Sequence, residues 1–254
     1  MRLKLIRVFT VYFEGKYEPK YITNLYRGLK KYCKVPFEFV CLTDNMDVEA
    51  DRKIPIYKTG DIKLHWHKLA FFSPLFGGQN PGDDIIIMDI DQVVVSDITD
   101  MINYPVSDGE LISIERWWNL GDRLAPRLNG GFYKFKSGSL KCVWDNFVRN
   151  IEYWQTHFYY EGIVHYKYYG EQNFVQHICQ REGKKITLMP GEWIGKWTQD
   201  NVRNMKYNIK YGKVFNDDYM IMDQPNPRLK LIHFANPNTT IHEAEDTWLK
   251  EYWQ

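Results

Sequence analysis

The sequence predicts an α/β protein, a single domain over residues 1–254 with a mostly parallel central sheet flanked by helices. Three features carry that expectation. Through the first hundred residues, β-branched and aromatic runs alternate with stretches of helical periodicity, the pattern of strands joined by helical crossovers. In the middle of that region, Ile85 to Met88 is a continuous apolar run entered through Pro81 and Gly82, which reads as a strand buried on both faces. The chain shows no internal repeat, low-complexity tract or linker, and 254 residues suffice for one sizeable core.

In chain order, Leu3 to Phe13 alternates and is rich in Val, Ile, Phe and Tyr, a first strand. Pro19 opens a helix whose apolar positions are Tyr21, Ile22, Leu25, Leu29, Tyr32 and Cys33. Phe37 to Leu42 is a second strand, closed by Thr43, Asp44 and Asn45, and Ile54 to Tyr57 is a weaker third. Asp61 is placed to cap a helix through Leu64, Leu69 and Phe72 that ends near Pro74. A loop from Gly77 to Gly82 leads into the central strand, and a second apolar run follows it from Val93 to Val95. Ile98 to Ile102 reads as a short helix and Glu110 to Glu115 as a strand. A loop with Arg116, Trp117 and Trp118 precedes a strand from Leu128 to Phe135, entered through Gly130 and Gly131. Leu140 to Trp154 and Glu171 to Arg181 read as helices. Ile186 to Met189 and Leu229 to Phe234 read as strands, and Glu243 to Trp253 as an amphipathic closing helix. From Trp193 to Pro227 the periodicity is weak and no element is assigned.

Composition narrows the function. A formal charge of +1 lacks the basic excess of a nucleic-acid binder. Cys33, Cys41, Cys142 and Cys179 have no metal-ligand spacing and read as reduced thiols. No apolar run approaches membrane-span length, and the charged start Met1 to Arg7 lacks a signal-peptide core, so a soluble cytoplasmic protein is expected. Aromatic residues reach 16% of the chain, a surplus that a glycan partner would use because sugars stack their C–H faces on rings.

Chemistry concentrates after the central strand. On a strand Asp89 and Asp91 share a face with Ile90 opposite. Two carboxylates at the end of a buried strand are costly unless a cation neutralises them, and a divalent metal takes oxygen ligands. A solvated turn is the plainer reading of a lone Asp-x-Asp. Such strand ends are where open α/β sheets bind ligands. Gly130 and Gly131 allow either a positive φ or a close backbone approach. His65 and His67, two apart on a predicted helix, do not share a face and are no metal pair.

Together these pieces resemble the GT-A fold glycosyltransferases, closest in pattern to the family-8-like enzymes and their bacterial and viral relatives. Thr10-Val11-Tyr12, Trp66-His67-Lys68-Leu69, Ile87 to Val95 around Asp89-Ile90-Asp91, Asn129-Gly130-Gly131-Phe132, Glu171-Gln172 and Ile232-His233-Phe234 occur in the family's order across nearly the whole chain. The resemblance implies a nucleotide-binding half over about residues 1–96 and a sugar and acceptor half over about 97–254. Thr10, Val11 and Tyr12 would line the base and ribose, with Lys68 near the donor's phosphates or sugar. Asp89, Asp91 and His233 would be metal ligands, with Ile90 between the carboxylates in the donor site. Asn129, Gly130 and Gly131 would face the transferred sugar, and Glu171 and Gln172 would lie beneath its reacting carbon. The implied cofactor is Mn²⁺ or Mg²⁺, the donor a nucleoside diphosphate sugar, by family habit of uridine, and the acceptor a glycan or another hydroxyl. The chain departs from the pattern in two places. Glu171 replaces the commoner Asp, and the run from His233 to Thr239 lacks the Gly and Lys that usually follow the histidine, leaving Lys230 or Lys213 as substitutes.

The implied reaction is physically coherent. Charge grows on the diphosphate as the sugar leaves, and a divalent cation stabilises it. Gln172, which the resemblance would set on the face opposite the leaving phosphate, suits retention, whereas inversion would need a base such as Glu171, Asp217 or Asp218. Trp117 and Trp118 are candidates for stacking on an acceptor. A sugar-1-phosphate nucleotidyltransferase shares such a sheet and metal chemistry, but Phe9 to Gly15 lacks its glycine- and lysine-rich phosphate loop. An inactive glycan-binding protein of the same fold would have little reason to keep Asp89, Asp91 and His233.

Overall fold

The computed structural model describes residues 6–56, 61–119, 126–198, 201–208, 213–221, 227–234, 241–244 and 247–253. Its elements run β1 (Ile6–Tyr12), α1 (Lys20–Tyr32), β2 (Phe37–Thr43), β3 (Arg52–Pro55), β4 (Asp84–Met88), β5 (Gln92–Val94), α2 (Thr99–Ile102), β6 (Glu110–Glu115), β7 (Leu128–Lys136), α3 (Lys141–Arg149), α4 (Ile151–Tyr160), α5 (Glu171–Arg181), β8 (Lys185–Leu188), β9 (Ile194–Thr198), β10 (Asn201–Asn208), β11 (Lys213–Ile221) and β12 (Leu231–His233).

The central sheet has seven strands in the order β3-β2-β1-β4-β7-β6-β8, and only β7 runs against its neighbours. It is the mostly parallel sheet that the sequence predicts. β4 lies at its centre with all five residues buried, as its uninterrupted apolar run requires. Successive side chains feed opposite faces. Val8, Tyr12, Ile86 and Met88 join one core cluster, with the buried face of α1, and Phe9, Ile85 and Ile87 join the other. The second cluster includes Trp66, Phe147 and Phe174, which stack within 6 Å of one another, and a Phe72–Phe135 pair at 4.4 Å.

A second sheet, of which the sequence reading assigns only the strand from Leu229 to Phe234, has the order β11-β10-β9-β12-β5. β9, β10 and β11 form an antiparallel meander in the stretch from Trp193 to Pro227, with a register shift between Met205 and Lys206 that blurs its alternation. β12 pairs parallel with β9 and antiparallel with β5. The chain passes from the first sheet to the second through Asp89-Ile90-Asp91, between β4 and β5. The two carboxylates therefore sit in a sheet-to-sheet crossing, outside regular strand.

Several expected elements differ. The helix foreseen from Leu140 to Trp154 is two helices, broken at Asn150, whose extended backbone (φ −155°, ψ 71°) and side chain, accepting from Tyr153 N–H at 3.3 Å, start α4 afresh. Asp61 caps nothing. The segment Leu64–Phe72 is a 3₁₀ helix beginning after Lys63, and it buries Trp66, Lys68, Leu69, Ala70, Phe71 and Phe72, so it has no polar stripe. The closing helix is two short 3₁₀ turns, Ile241–Ala244 and Trp248–Tyr252, the second capped by Thr247. Tyr57, at the end of the expected third strand, lies outside the described residues. None of the four cysteines forms a disulfide. Among the described residues no helix is long and apolar enough to cross a membrane.

Candidate active site

A cavity of about 380 Å³ opens where the two sheets meet, a size suited to a small-molecule ligand. The pairing of strands explains why its residues converge. β7 lies against β4, so Asp89 N–H bonds to Gly131 O at 3.1 Å. β12 lies against β5 with His233 opposite Gln92, and Phe234 N–H bonds to Asp91 O at 3.0 Å. α5 begins at Glu171 beneath the glycine pair, and Gln172 Oε1 accepts from Gly130 N–H at 3.0 Å.

Of the residues implicated by sequence, Val11, Lys68, Asp89, Ile90, Asp91, Asn129, Gly130, Gly131, Glu171, Gln172 and His233 all line this cavity. Thr10 and Tyr12 do not. They share the other face of β1, where the Thr10 hydroxyl donates to Met88 O at 2.7 Å and the Tyr12 hydroxyl to Tyr17 O at 3.1 Å. Strand alternation leaves only Val11 of that trio on the cavity side. Trp118 lines the cavity, whereas Trp117 is core, its indole N–H donating to Ile194 O at 3.1 Å. His65 is in the lining and His67 is not.

Lys68 is the hub. Its Nζ lies 3.1 Å from Asp89 Oδ1, 3.1 Å from Glu171 Oε2 and 2.9 Å from Gly130 O, and the residue is 2% exposed. Burial alone would strip its proton, but the two negative charges outweigh that and raise its pKa. Glu171 is as deeply buried, and burial pushes its carboxyl up to about 7 despite the lysine, with Asp89 adding to the rise. A plain ion pair would depress that carboxyl; here one ammonium serves two acids. Of the aspartates, Asp91 is the more acidic. Burial and the charge of Asp91 raise Asp89, although Lys68 opposes them. For Asp91 burial is outweighed by His233 where its ring is protonated, by Lys16 and by the Tyr17 hydroxyl, which donates to Oδ2 at 2.8 Å.

The glycines are needed for close approach, since neither has a positive φ. A Cβ on Gly131 would stand 2.5 Å from Gln92 Nε2 and 2.7 Å from His233 Cε1; one on Gly130 would stand 2.9 Å from Glu171 Oε2. Asn129 folds back on this backbone, its Oδ1 accepting from Gly131 N–H at 2.7 Å.

His233 is fully buried, with its ring 5.8 Å from that of Trp118 and Nδ1 3.2 Å from Gln92 Nε2. Burial lowers its pKa to about 3, so the imidazole is neutral. Its Nε2 and the Oε1 of Gln92 are buried without a hydrogen-bond partner. Among the described residues no three His, Cys, Asp or Glu side chains form a ready-made metal-binding group. The donor chemistry nevertheless suits a divalent cation, because a neutral imidazole nitrogen lacking a partner and two carboxylates open on one cavity.

Sequence reasoning missed Phe13, Lys16, Tyr17, Arg116 and Tyr169, which also line the cavity. Tyr169 follows Tyr168, a non-glycine residue at φ 72° whose carbonyl accepts from Trp66 Nε1 at 2.7 Å. Lys16 and Tyr17 sit on the loop after β1. Their signal was positional: that loop leaves the C-terminal end of a central parallel strand.

The fold has known counterparts. The chain superposes on the galactosyltransferase LgtC, in a complex with donor and acceptor sugar analogs, with a TM-score of 0.58 and 9% identity over 97% of this chain and 93% of that one. An active-site mutant of LgtC gives 0.57 and 10% over the same shares. The glycosyltransferase GlyE of Streptococcus pneumoniae TIGR4 gives 0.51 and 10% over 74% of this chain, which spans 45% of GlyE. No protein-family model and no curated protein sequence matches the chain. At such identities the likeness defines the fold: a mixed α/β GT-A architecture shared with these glycosyltransferases.

Two outcomes follow. Gly131→Ala, which drives a methyl into Gln92 and His233, should lower stability by about 1–3 kcal/mol in urea unfolding; an unchanged midpoint would show that the backbone yields freely there. The second concerns pH. Glu171's folded pKa lies above its ordinary 4.5, so the folded state holds that proton more tightly. This contribution to stability is full below pH 4.5 and is lost as pH rises through about 7. The stability of wild type relative to Glu171→Gln should therefore fall by roughly 1–3 kcal/mol across that window. A difference constant with pH would refute it.

Proposed function

We propose that this chain is a glycosyltransferase that moves a sugar from a nucleoside diphosphate sugar, with uridine as the first base to test, to a hydroxyl of a glycan or other acceptor. One observation carries the reading. On a fold shared with glycosyltransferases, a single cavity gathers the Asp89/Asp91 crossing, His233, the Lys68–Glu171 pair, Gln172 and the glycine backbone. Residues on both sides of the 96/97 division line it.

Asp89, Asp91 and His233 would hold Mn²⁺ or Mg²⁺, which when bound supplies Lewis-acid stabilisation of charge on the departing diphosphate. For His233 Nε2 to offer its lone pair, Nδ1 must carry the ring proton. Gln92 can accept that proton's hydrogen bond by turning its unpartnered Oε1 to the ring, and Gly131 O keeps its bond from Asp89 N–H. Lys68 fixes a positive charge beside Asp89 and holds Glu171 in place. Gln172, braced on Gly130, orients the sugar from below. Glu171 is 2% exposed and bound to Lys68, which makes it a positioning group rather than a base for an incoming hydroxyl and favours retention. The side chains of Asp217 and Asp218 lie outside those described. Trp118 and Tyr169 offer rings to the acceptor side.

Calorimetric titration with uridine diphosphate tests the reading. Wild type should bind it tightly only with Mn²⁺, and Asp91→Ala should weaken that binding at least roughly 10-fold, the loss of one charged ligand. Binding indifferent to both metal and mutation would defeat the metal-bridged donor site.

A further inference from the structure

Beside a metal, the donor reading calls for a side-chain cation free to meet the phosphates, and the basic residues considered so far do not supply it. Lys68 is committed to Asp89, Glu171 and Gly130 O. Lys230 is outside the cavity lining; it donates to Asp97 O at 2.9 Å and Asp100 Oδ2 at 3.0 Å, with its ammonium 5.1 Å from the Trp193 ring. The side chain of Lys213 lies outside those described. Neither candidate from the sequence can be placed on the donor.

Lys16 can. It lines the cavity from the loop leaving β1, just after Gly15, whose φ of 100° turns the chain back over the strand end. Its Nζ lies 4.6 Å from the centre of the Tyr17 ring and 5.6 Å from that of Tyr169. Tyr17 is itself anchored, by its hydroxyl on Asp91 Oδ2 at 2.8 Å and by its ring 4.7 Å from that of Tyr21. The loop thus carries a cation on the same wall as a bond to the carboxylate pair. Among the described residues Lys16 makes no ion pair. Two ring faces hold an exposed ammonium weakly, whereas phosphate oxygens offer charge-assisted hydrogen bonds of the stronger kind. Arg116 adds positive charge to the same lining.

We propose that Lys16 is the diphosphate clamp of this protein. Its ammonium moves from the Tyr17 and Tyr169 rings onto the donor's phosphate oxygens. The clamp rests on the reading above that the cavity takes a nucleoside diphosphate sugar.

The test compares wild type, Lys16→Met and Lys16→Arg by calorimetry with uridine diphosphate, and with uridine in competition, at low and high salt. Lys16→Met should weaken uridine diphosphate roughly 10- to 100-fold, leave uridine unchanged and flatten the salt dependence, while Lys16→Arg keeps most of the affinity. Its melting temperature should match wild type, since the side chain is exposed. Undiminished uridine diphosphate binding by Lys16→Met overturns the clamp and leaves the donor reading standing. An equal loss for uridine also overturns it, by showing that Lys16 only shapes the loop. If wild type binds neither uridine nor guanosine diphosphate, with or without Mn²⁺, the donor reading fails and the clamp with it.

Discussion

A single buried ammonium joins three parts of this molecule. Lys68 comes from the 3₁₀ segment packed on the central sheet, Asp89 from the crossing between sheets, and Glu171 from the first turn of α5, with Gly130 O of β7 completing the set. Removing a charge from water costs several kcal/mol, and such a group is tolerated only when paired and hydrogen-bonded on most sides. Lys68 meets that condition, but two acids share it; burial, with Asp89 adding to it, still holds the Glu171 carboxyl above its ordinary pKa, and Asp89 also lines the cavity. Mutual dependence of this kind sets a geometry more than it adds stability.

The second constraint is topological. β4 and β5 belong to different sheets, and the three residues between them carry the carboxylates. Because β7 pairs with one strand and β12 with the other, the glycine backbone and His233 reach that crossing from opposite sides. Close packing follows: at Gly131 there is no room for a methyl group, and at Gly130 barely more. The cavity is therefore walled by the glycine backbone on one side and lined elsewhere by aromatic rings and by Lys16 and Arg116.

Much of this was legible in the sequence because it rests on local patterns. The apolar run before Asp89, the glycine pair before Phe132, and Glu171 opening an amphipathic helix each announce their element, and the pattern of strands and helices gave the parallel sheet. What stayed hidden depends on partners distant in sequence or on a single residue's conformation. The β9 to β11 meander has an irregular register, and one asparagine splits a predicted helix. Of Thr10, Val11 and Tyr12 only Val11 lines the cavity, because strand alternation turns the other two to the opposite face of β1. Lys16 and Tyr17 carry no motif of their own; their place in the cavity wall emerges only once the loop after β1 brings the Tyr17 hydroxyl to Asp91.

Lys68 couples the carboxylate crossing to α5, and a double-mutant cycle measures that coupling directly. Unfolding free energies of wild type, Lys68→Met, Glu171→Gln and the double variant would be compared in urea. Each single change should destabilise, and the double variant should recover at least about 1 kcal/mol of the summed losses, as expected for groups in one buried network. Losses that add to within about 0.5 kcal/mol would mean the two residues act independently, and the lysine would not be the element that holds this site together.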